Sequence, residues 1–260
     1  MANQRNKNGI NTGIAWCDVT TNLWWGCSKV HTGCKNCYAE TLSKRFGDDI
    51  WGEKNPRKQI KSAFNDLDKY QKQAEKANVK VKVFVGSMMD IFEAPKNIQN
   101  LNGVYPNTGS LRADLFNRIL QGKYQNIVFL FLTKRPENIR SMIPFLWYDR
   151  FPSNVWIGVS ISDQTTANEA IEIINKYAFP YNMFLSIEPQ VGLIDEINLS
   201  GINWVIQGGE SGHNKRPFNI EWAERMKVIC EEQNTPYFFK QIDKVQPIPE
   251  HLNIKQYPEF

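Results

Sequence analysis

VKVFVGSMMD, Val81 to Asp90, is a short run of apolar residues that breaks into glycine, serine, methionine and an acid. A run this short and rich in Val and Phe fits a strand covered on both faces better than a helix. The same pattern returns five times downstream. It appears as IVFLFLTKRP from Ile127, NVWIGVSISD from Asn154, MFLSIEPQ from Met183, NWVIQGGESG from Asn203 and PYFFKQ from Pro236. Helix-compatible stretches lie between these runs: LRADLFNRILQG, PENIRSMIPFLW, TTANEAIEIINKYAF and NIEWAERMKVICEEQN. Strands alternating with helices of this length predict βα units around a parallel sheet.

If NLWW, Asn22 to Trp25, supplies an earlier strand, the chain holds about six or seven parallel strands. The expected fold is therefore α/β, a single-domain partial (β/α) barrel over residues 16–260, preceded by a polar arm over residues 1–15. Ahead of the regular part, YAETLSKRFG predicts a short helix closed by Gly47. The spacing of Ile60, Ala63, Phe64, Leu67 and Tyr70 predicts an amphipathic helix from Pro56 to about Ala77. The segment from Ile91 to Ser110 is loop-rich and suits a lid or a substrate rim.

The polar residues recur in one place. Asp90, Lys134, Arg135, Asp163, Glu188, Glu210 and Lys240 all fall at or just beyond the C-terminal ends of the expected strands. In α/β barrels and open sheets that edge carries the chemistry. Asp90, Lys134, Arg135, Glu188, Glu210 and Lys240 are accordingly the catalytic candidates.

With 260 residues, 42% of them hydrophobic, the chain can bury a core without covalent staples. It has five cysteines, an odd number that argues against a disulfide framework and for free or metal-bound thiols in a reducing, cytoplasmic setting. Neither a long apolar span nor an apolar leader is evident, so no membrane partner is expected. Residues 1–80 carry 14 Lys or Arg against 8 Asp or Glu, a bias that favours a polyanionic partner.

Three cysteines crowd into GCSKVHTGCKNC, where Cys27, Cys34 and Cys37 have the spacing C-x6-C-x2-C. Gly26 and Gly33 each precede a cysteine and permit tight turns. Three soft thiolates suit a 4Fe-4S cluster with one open iron. Zinc is an equal competitor on the residues alone, because Cys17 or His31 can complete a tetrahedral site. Cys230 falls on the apolar side of its helix and reads as a small core residue.

The chain resembles the phage-type three-Cys-motif family, also called the phage gene-product 37/68 family, a distant branch of the radical S-adenosylmethionine superfamily. The resemblance rests on TGIAWCDVTTNLWWGCSKVHTGCKNCYAE, VFVGSMMDIF, FLTKRPENI, NVWIGVSISD, FLSIEPQVG, NWVIQGGESGHNKRPFNIEW and PYFFKQ. It implies a three-cysteine loop after the first strand, with Cys27, Cys34 and Cys37 as ligands of a 4Fe-4S cluster. It also implies S-adenosylmethionine as a cofactor and a reducing electron donor as a partner. The implied chemistry is reductive cleavage of S-adenosylmethionine and modification of a substrate, here a nucleotide or nucleic acid. The implied cofactor contacts are Tyr38, Ser87, Asp90, Ser160, Glu188, Gly208 and Gly209. Two features depart from the superfamily pattern: the first cysteine gap is six residues rather than three, and Asn36 stands where an aromatic residue is usual.

The competing class is a zinc protein that binds nucleic acid without radical chemistry. It would use Cys17 with the other three cysteines, or His31 in place of one thiolate, and the helix from Pro56 to Ala77 as its basic face. Trp24 and Trp25 could stack a base, although core packing explains at least one of them.

Overall fold

The apolar runs form the sheet. In a computed structural model that describes residues 12–99, 104–177 and 182–260, they become β4 (Val81–Val85), β5 (Ile127–Thr133), β6 (Val155–Ser160), β7 (Asn182–Ile187), β8 (Trp204–Gly208) and β9 (Tyr237–Gln241), preceded by β1 (Val19–Thr21). These seven strands are parallel and lie side by side in chain order, β1-β4-β5-β6-β7-β8-β9. Such an order arises when each crossover steps the chain on by one strand, and it gives the expected curled, partial (β/α) barrel. The expected arm over residues 1–15 lies, through residue 11, outside the described residues.

The first strand differs from expectation. Val19–Thr21, not NLWW, pairs with β4. Trp24–Trp25 forms β2, antiparallel to β3 (Lys58–Gln59), in a separate two-stranded ribbon. The helix expected from Pro56 therefore starts later, as α2 (Ala63–Ala77). Arg57 is fully buried and Lys58 is committed to the ribbon, so neither can sit on an exposed first turn. Within α2, Lys69, Lys72 and Lys76 are matched in number by Asp66, Asp68 and Glu75.

The other helices are α1 (Tyr38–Arg45), α3 (Thr108–Leu120), α4 (Pro136–Met142), α5 (Leu146–Asp149), α6 (Gln164–Tyr177) and α7 (Ile220–Glu232). Their ends follow from local chemistry. Asn107 and Ser110 form a reciprocal capping box on α3, and Asn219 caps α7. Asp163 accepts the Thr166 amide in the first turn of α6, and Pro144 separates α4 from α5. No helix among the described residues is long and apolar enough to cross a membrane.

Both faces of the sheet are covered. The outer face packs against the helices, whereas the inner face carries its own cluster of Trp16, Phe84, Leu130, Trp156, Phe184, Trp204, Ile206 and Phe238. Across the strands these inner residues fall into staggered rows. Phe84 aligns with Leu130 and Leu130 with Trp156; Gly158 aligns with Phe184 and Phe184 with Trp204. A Cβ on Gly158 would lie 2.3 Å from the Phe184 ring, so glycine makes room for that side chain. Aromatic rings thus close the bottom of the half-barrel, and the polar strand ends open at the top.

Candidate functional site

A cavity of about 560 Å³ opens at the C-terminal edge of the sheet. Its wall includes Cys27, Cys34 and Cys37, together with Tyr38, Ser87, Asp90, Lys134, Arg135, Glu188, Gly209, Glu210 and Lys240. Twelve residues chosen from the sequence as ligands, catalysts or cofactor contacts therefore share one space. Ser160 lies just behind this wall, buried under the Lys134 ammonium, which donates to its hydroxyl at 2.7 Å. Gly208 is sheet backbone paired with Gln241.

The cysteine loop is held from two sides. On the first, Arg135 donates to the Ser28 carbonyl at 2.8 Å and to the Ser28 hydroxyl at 3.0 Å, and its Nη1 lies 3.6 Å from Cys27 Sγ. Glu93 accepts the Ser28 amide at 3.0 Å and hydroxyl at 2.8 Å, while binding Arg57 through both oxygens. Arg57 spends its other donors on the carbonyls of Ile50, Gly52 and Asn55. Every charge in this buried network has a partner, as burial demands.

On the second side, Glu210 accepts from Asn36 at 2.9 Å and binds Arg216, which in turn donates to the Thr32 carbonyl. Asp163 accepts the Thr32 hydroxyl at 2.8 Å. The two glycines of the loop are sterically required. Gly26 has φ of +111° and a Cβ there would meet the Ile50 carbonyl at 2.3 Å, while one on Gly33 would meet Ser162 Oγ at 2.2 Å.

Several expected ligand contacts are already engaged within the protein. Asp90 accepts from the Thr133 hydroxyl, the Phe92 and Lys134 amides and Arg135, which fills its carboxylate. It orders the end of β5. Glu188 accepts from Trp16 Nε1 at 3.0 Å and pairs with Lys240 at 2.8 Å. The Gly209 amide donates to the Gln241 carbonyl, and a Cβ there would meet the Ile242 carbonyl at 2.0 Å. Glycine at 209 thus serves close backbone packing. Ser87 carries two ties, from Tyr38 Oη to its carbonyl at 2.6 Å and from Asn22 to its hydroxyl at 2.9 Å.

The thiol environments differ. Burial, followed by the nearby Asp90 and Glu93, pushes the Cys27 thiol up to about 12 against the pull of Arg135. Burial also raises Cys37. His31 is lowered to about 4, first by burial and then by Lys134, so its imidazole is neutral near pH 7.

This chain matches, over residues 11–255, the family described as "Protein of unknown function (DUF5131)". It belongs to the DUF5131 family. No curated protein and no solved structure matches it. The family description assigns no activity, so the chemistry of this DUF5131 protein has to be argued from its site.

The fit of an iron–sulfur cluster can be judged on the donors. Three soft thiols face one cavity from a loop whose turns need glycine. Among the described residues, no three His, Cys, Asp or Glu side chains are gathered closely enough to hold a metal ion. The donor set therefore fits in kind and number but is not gathered at ligand spacing, so drawing the thiols together would have to be part of binding. Cys17 is different. It is buried in the inner-face cluster, its thiol directed at the Ile14 carbonyl, and it is not part of the cavity wall. Trp24 is fully buried, whereas Trp25 lines the cavity. Cys230 packs in the core as expected.

Sequence reasoning missed Ser28, Arg57, Glu93 and Arg216, the residues that hold the loop. The signal was faint: Arg57 lies in a polar stretch, and Glu93 sits three residues beyond the predicted strand-end acid.

Proposed function

We propose that this DUF5131 protein is a radical S-adenosylmethionine-type enzyme that modifies a nucleotide or nucleic acid. The observation that carries the reading is the meeting of Cys27, Cys34 and Cys37 with the polar strand ends in one cavity of a chain-ordered parallel half-barrel. In this reading the three cysteines hold a 4Fe-4S cluster. When bound with S-adenosylmethionine, such a cluster supplies one-electron cleavage chemistry that yields a hydrogen-abstracting radical, given an external electron donor.

The chain's own residues prepare the space. Arg135 places a positive charge and an N–H beside Cys27 Sγ, which favours the thiolate a metal requires. Glu93 and Glu210 fix the loop on opposite sides of the cysteines through Ser28 and Asn36. Tyr38 and Trp25 give the cavity aromatic surface against which a nucleoside can stack. Lys134 and Lys240 offer positive charge at the strand ends, and the aromatic bottom keeps bulk water from below. A reducing cytoplasm suits the free thiols.

Zinc held by Cys17 with the other three is the weaker reading, because Cys17 is packed into the inner aromatic cluster. Anaerobic reconstitution with iron and sulfide decides between them. The proposed enzyme takes up about four irons and four sulfides per chain and forms 5′-deoxyadenosine from S-adenosylmethionine when reduced. Stoichiometric zinc that resists replacement by iron, with no such product, would sink the proposal.

A further inference from the structure

The inner-face rows are apolar near the bottom of the half-barrel, and one row then changes character. Ser160 aligns with Ser186 across β6 and β7. The register that aligns Thr133 with Val159 carries Lys134 beside Ser160, where its Nζ donates to Ser160 Oγ at 2.7 Å. Beyond Ser186 the row is apolar again, through Ile206 and Phe238. Lys134, just past the end of β5, thus stands beside Ser160 and Ser186 on the next two strands, with about 5 Å from one strand to the next.

Two independent observations single out this row. Ser186 is fully buried and lines the cavity, yet its Oγ has no hydrogen-bond partner among the described residues. A buried hydroxyl left unpaired costs stability and needs an explanation. Lys134, on the same cavity wall, makes its hydrogen bond to a neutral hydroxyl and has no carboxylate partner among the described residues. The neighbouring cations differ: Arg135 faces Asp90, Lys240 faces Glu188 and Lys29 faces Glu40. The row therefore combines an ammonium that has N–H groups to spare with a hydroxyl that lacks an acceptor. What both lack is an anion.

We infer that Lys134, Ser160 and Ser186 form a subsite for the oxyanion, a phosphate or a carboxylate, of the ligand that fills this cavity. Lys134 supplies charge and donors, Ser186 donates its O–H, and Ser160 positions the ammonium by accepting from it. The subsite stands on the cavity alone; only the identity of the ligand, as substrate or cofactor of the cysteine site, rests on the proposed function.

The test is calorimetric titration of the full chain, before and after iron–sulfide reconstitution, with orthophosphate, adenosine monophosphate and S-adenosylmethionine as probes. Ser186→Ala is expected to weaken the bound probe about tenfold, the worth of one hydrogen bond to a charged group. Its thermal midpoint should stay level or rise, because the change deletes an unpaired hydroxyl. Lys134→Met should weaken the same probe by at least as much. Losses confined to orthophosphate and adenosine monophosphate identify a phosphate, and a loss confined to S-adenosylmethionine identifies its carboxylate. Wild-type protein that binds none of the three, or variants that bind all three at wild-type strength, would overturn the subsite. Failure of iron uptake would overturn the proposed function instead and leave the titrations on unreconstituted protein to decide this point.

Discussion

Glu93 shows how much of this site depends on a residue that touches no ligand. It is 1% exposed, and its two oxygens receive the Ser28 amide and hydroxyl and both forks of Arg57. Arg135 lies 3.6 Å from one of those oxygens. Removing the carboxylate charge leaves the buried Arg57 guanidinium without its anion, while Arg135 keeps Asp90, and breaking a buried pair in this way costs about 3–5 kcal/mol. Glu93→Gln, which keeps the shape, should therefore lower unfolding free energy by about 3 kcal/mol in urea denaturation and reduce iron uptake. A loss below about 1 kcal/mol, the value of an exposed pair, would mean the network is not what holds Ser28. Gly33 gives a second test at this scale. Gly33→Ala would place a methyl 2.2 Å from Ser162 Oγ, whereas the double variant with Ser162→Ala removes that oxygen. The single variant should lose metal uptake, and the double should recover part of it; equal loss in both would point to His31 as the obstacle.

At the scale of elements, one side of the cysteine loop is clamped by two carboxylates, Glu210 and Asp163, whose behaviour with pH can be worked out. Burial alone would raise the Glu210 carboxyl, but Arg216 and Asn36 hold it below the ordinary range. Burial likewise opposes the Thr166 and Thr32 hydrogen bonds at Asp163, and the bonds prevail. A folded pKa below the unfolded one means that the unfolded state binds more protons. The stabilisation is thus present at neutral pH and lost as pH falls through the carboxylate range. Hydrogen exchange corrected for intrinsic rates should show protection of the loop around Thr32 and Asn36 falling as pH drops through and below the ordinary carboxylate range, ahead of β5 and β6. Simultaneous loss in loop and strands would show that the clamps do not act locally. The strands and the site's edge were legible in the sequence for a common reason: a strand buried on both faces is an unbroken apolar run, and its exit is where polarity returns. NLWW misled because Trp24 and Trp25 look like strand residues, and they are, but in the small ribbon with Lys58–Gln59. The clamps were illegible because each joins residues far apart in the chain, as Asn36 with Glu210 and Ser28 with Glu93. Ser186 escaped notice because nothing in MFLSIEPQ separates an inward serine lacking a partner from one that has it.

For the molecule as a whole, the parallel half-barrel leaves β1 and β9 unjoined, so its interior must be closed by something other than an eighth strand. Trp16 does part of this. Its ring lies 4.7 Å from Phe84 and 6.3 Å from both Phe184 and Trp204, bridging strands from opposite ends of the sheet. The same side chain donates to Glu188, so the residue that plugs the bottom also orients an acid at the top. The two roles separate by substitution. Trp16→Ala removes a buried ring and should cost about 3–5 kcal/mol in urea unfolding. Trp16→Phe keeps most of the ring contact while deleting the N–H, so its main loss is one hydrogen bond to a charged group, about 1.5–3 kcal/mol. If closure and site geometry are coupled through this residue, Trp16→Phe should still fold cooperatively yet show weakened ligand binding in the cavity, because Glu188 is then held by Lys240 alone. Unchanged binding in Trp16→Phe, alongside the expected destabilisation of Trp16→Ala, would assign Trp16 to packing only and leave the orientation of Glu188 to the lysine.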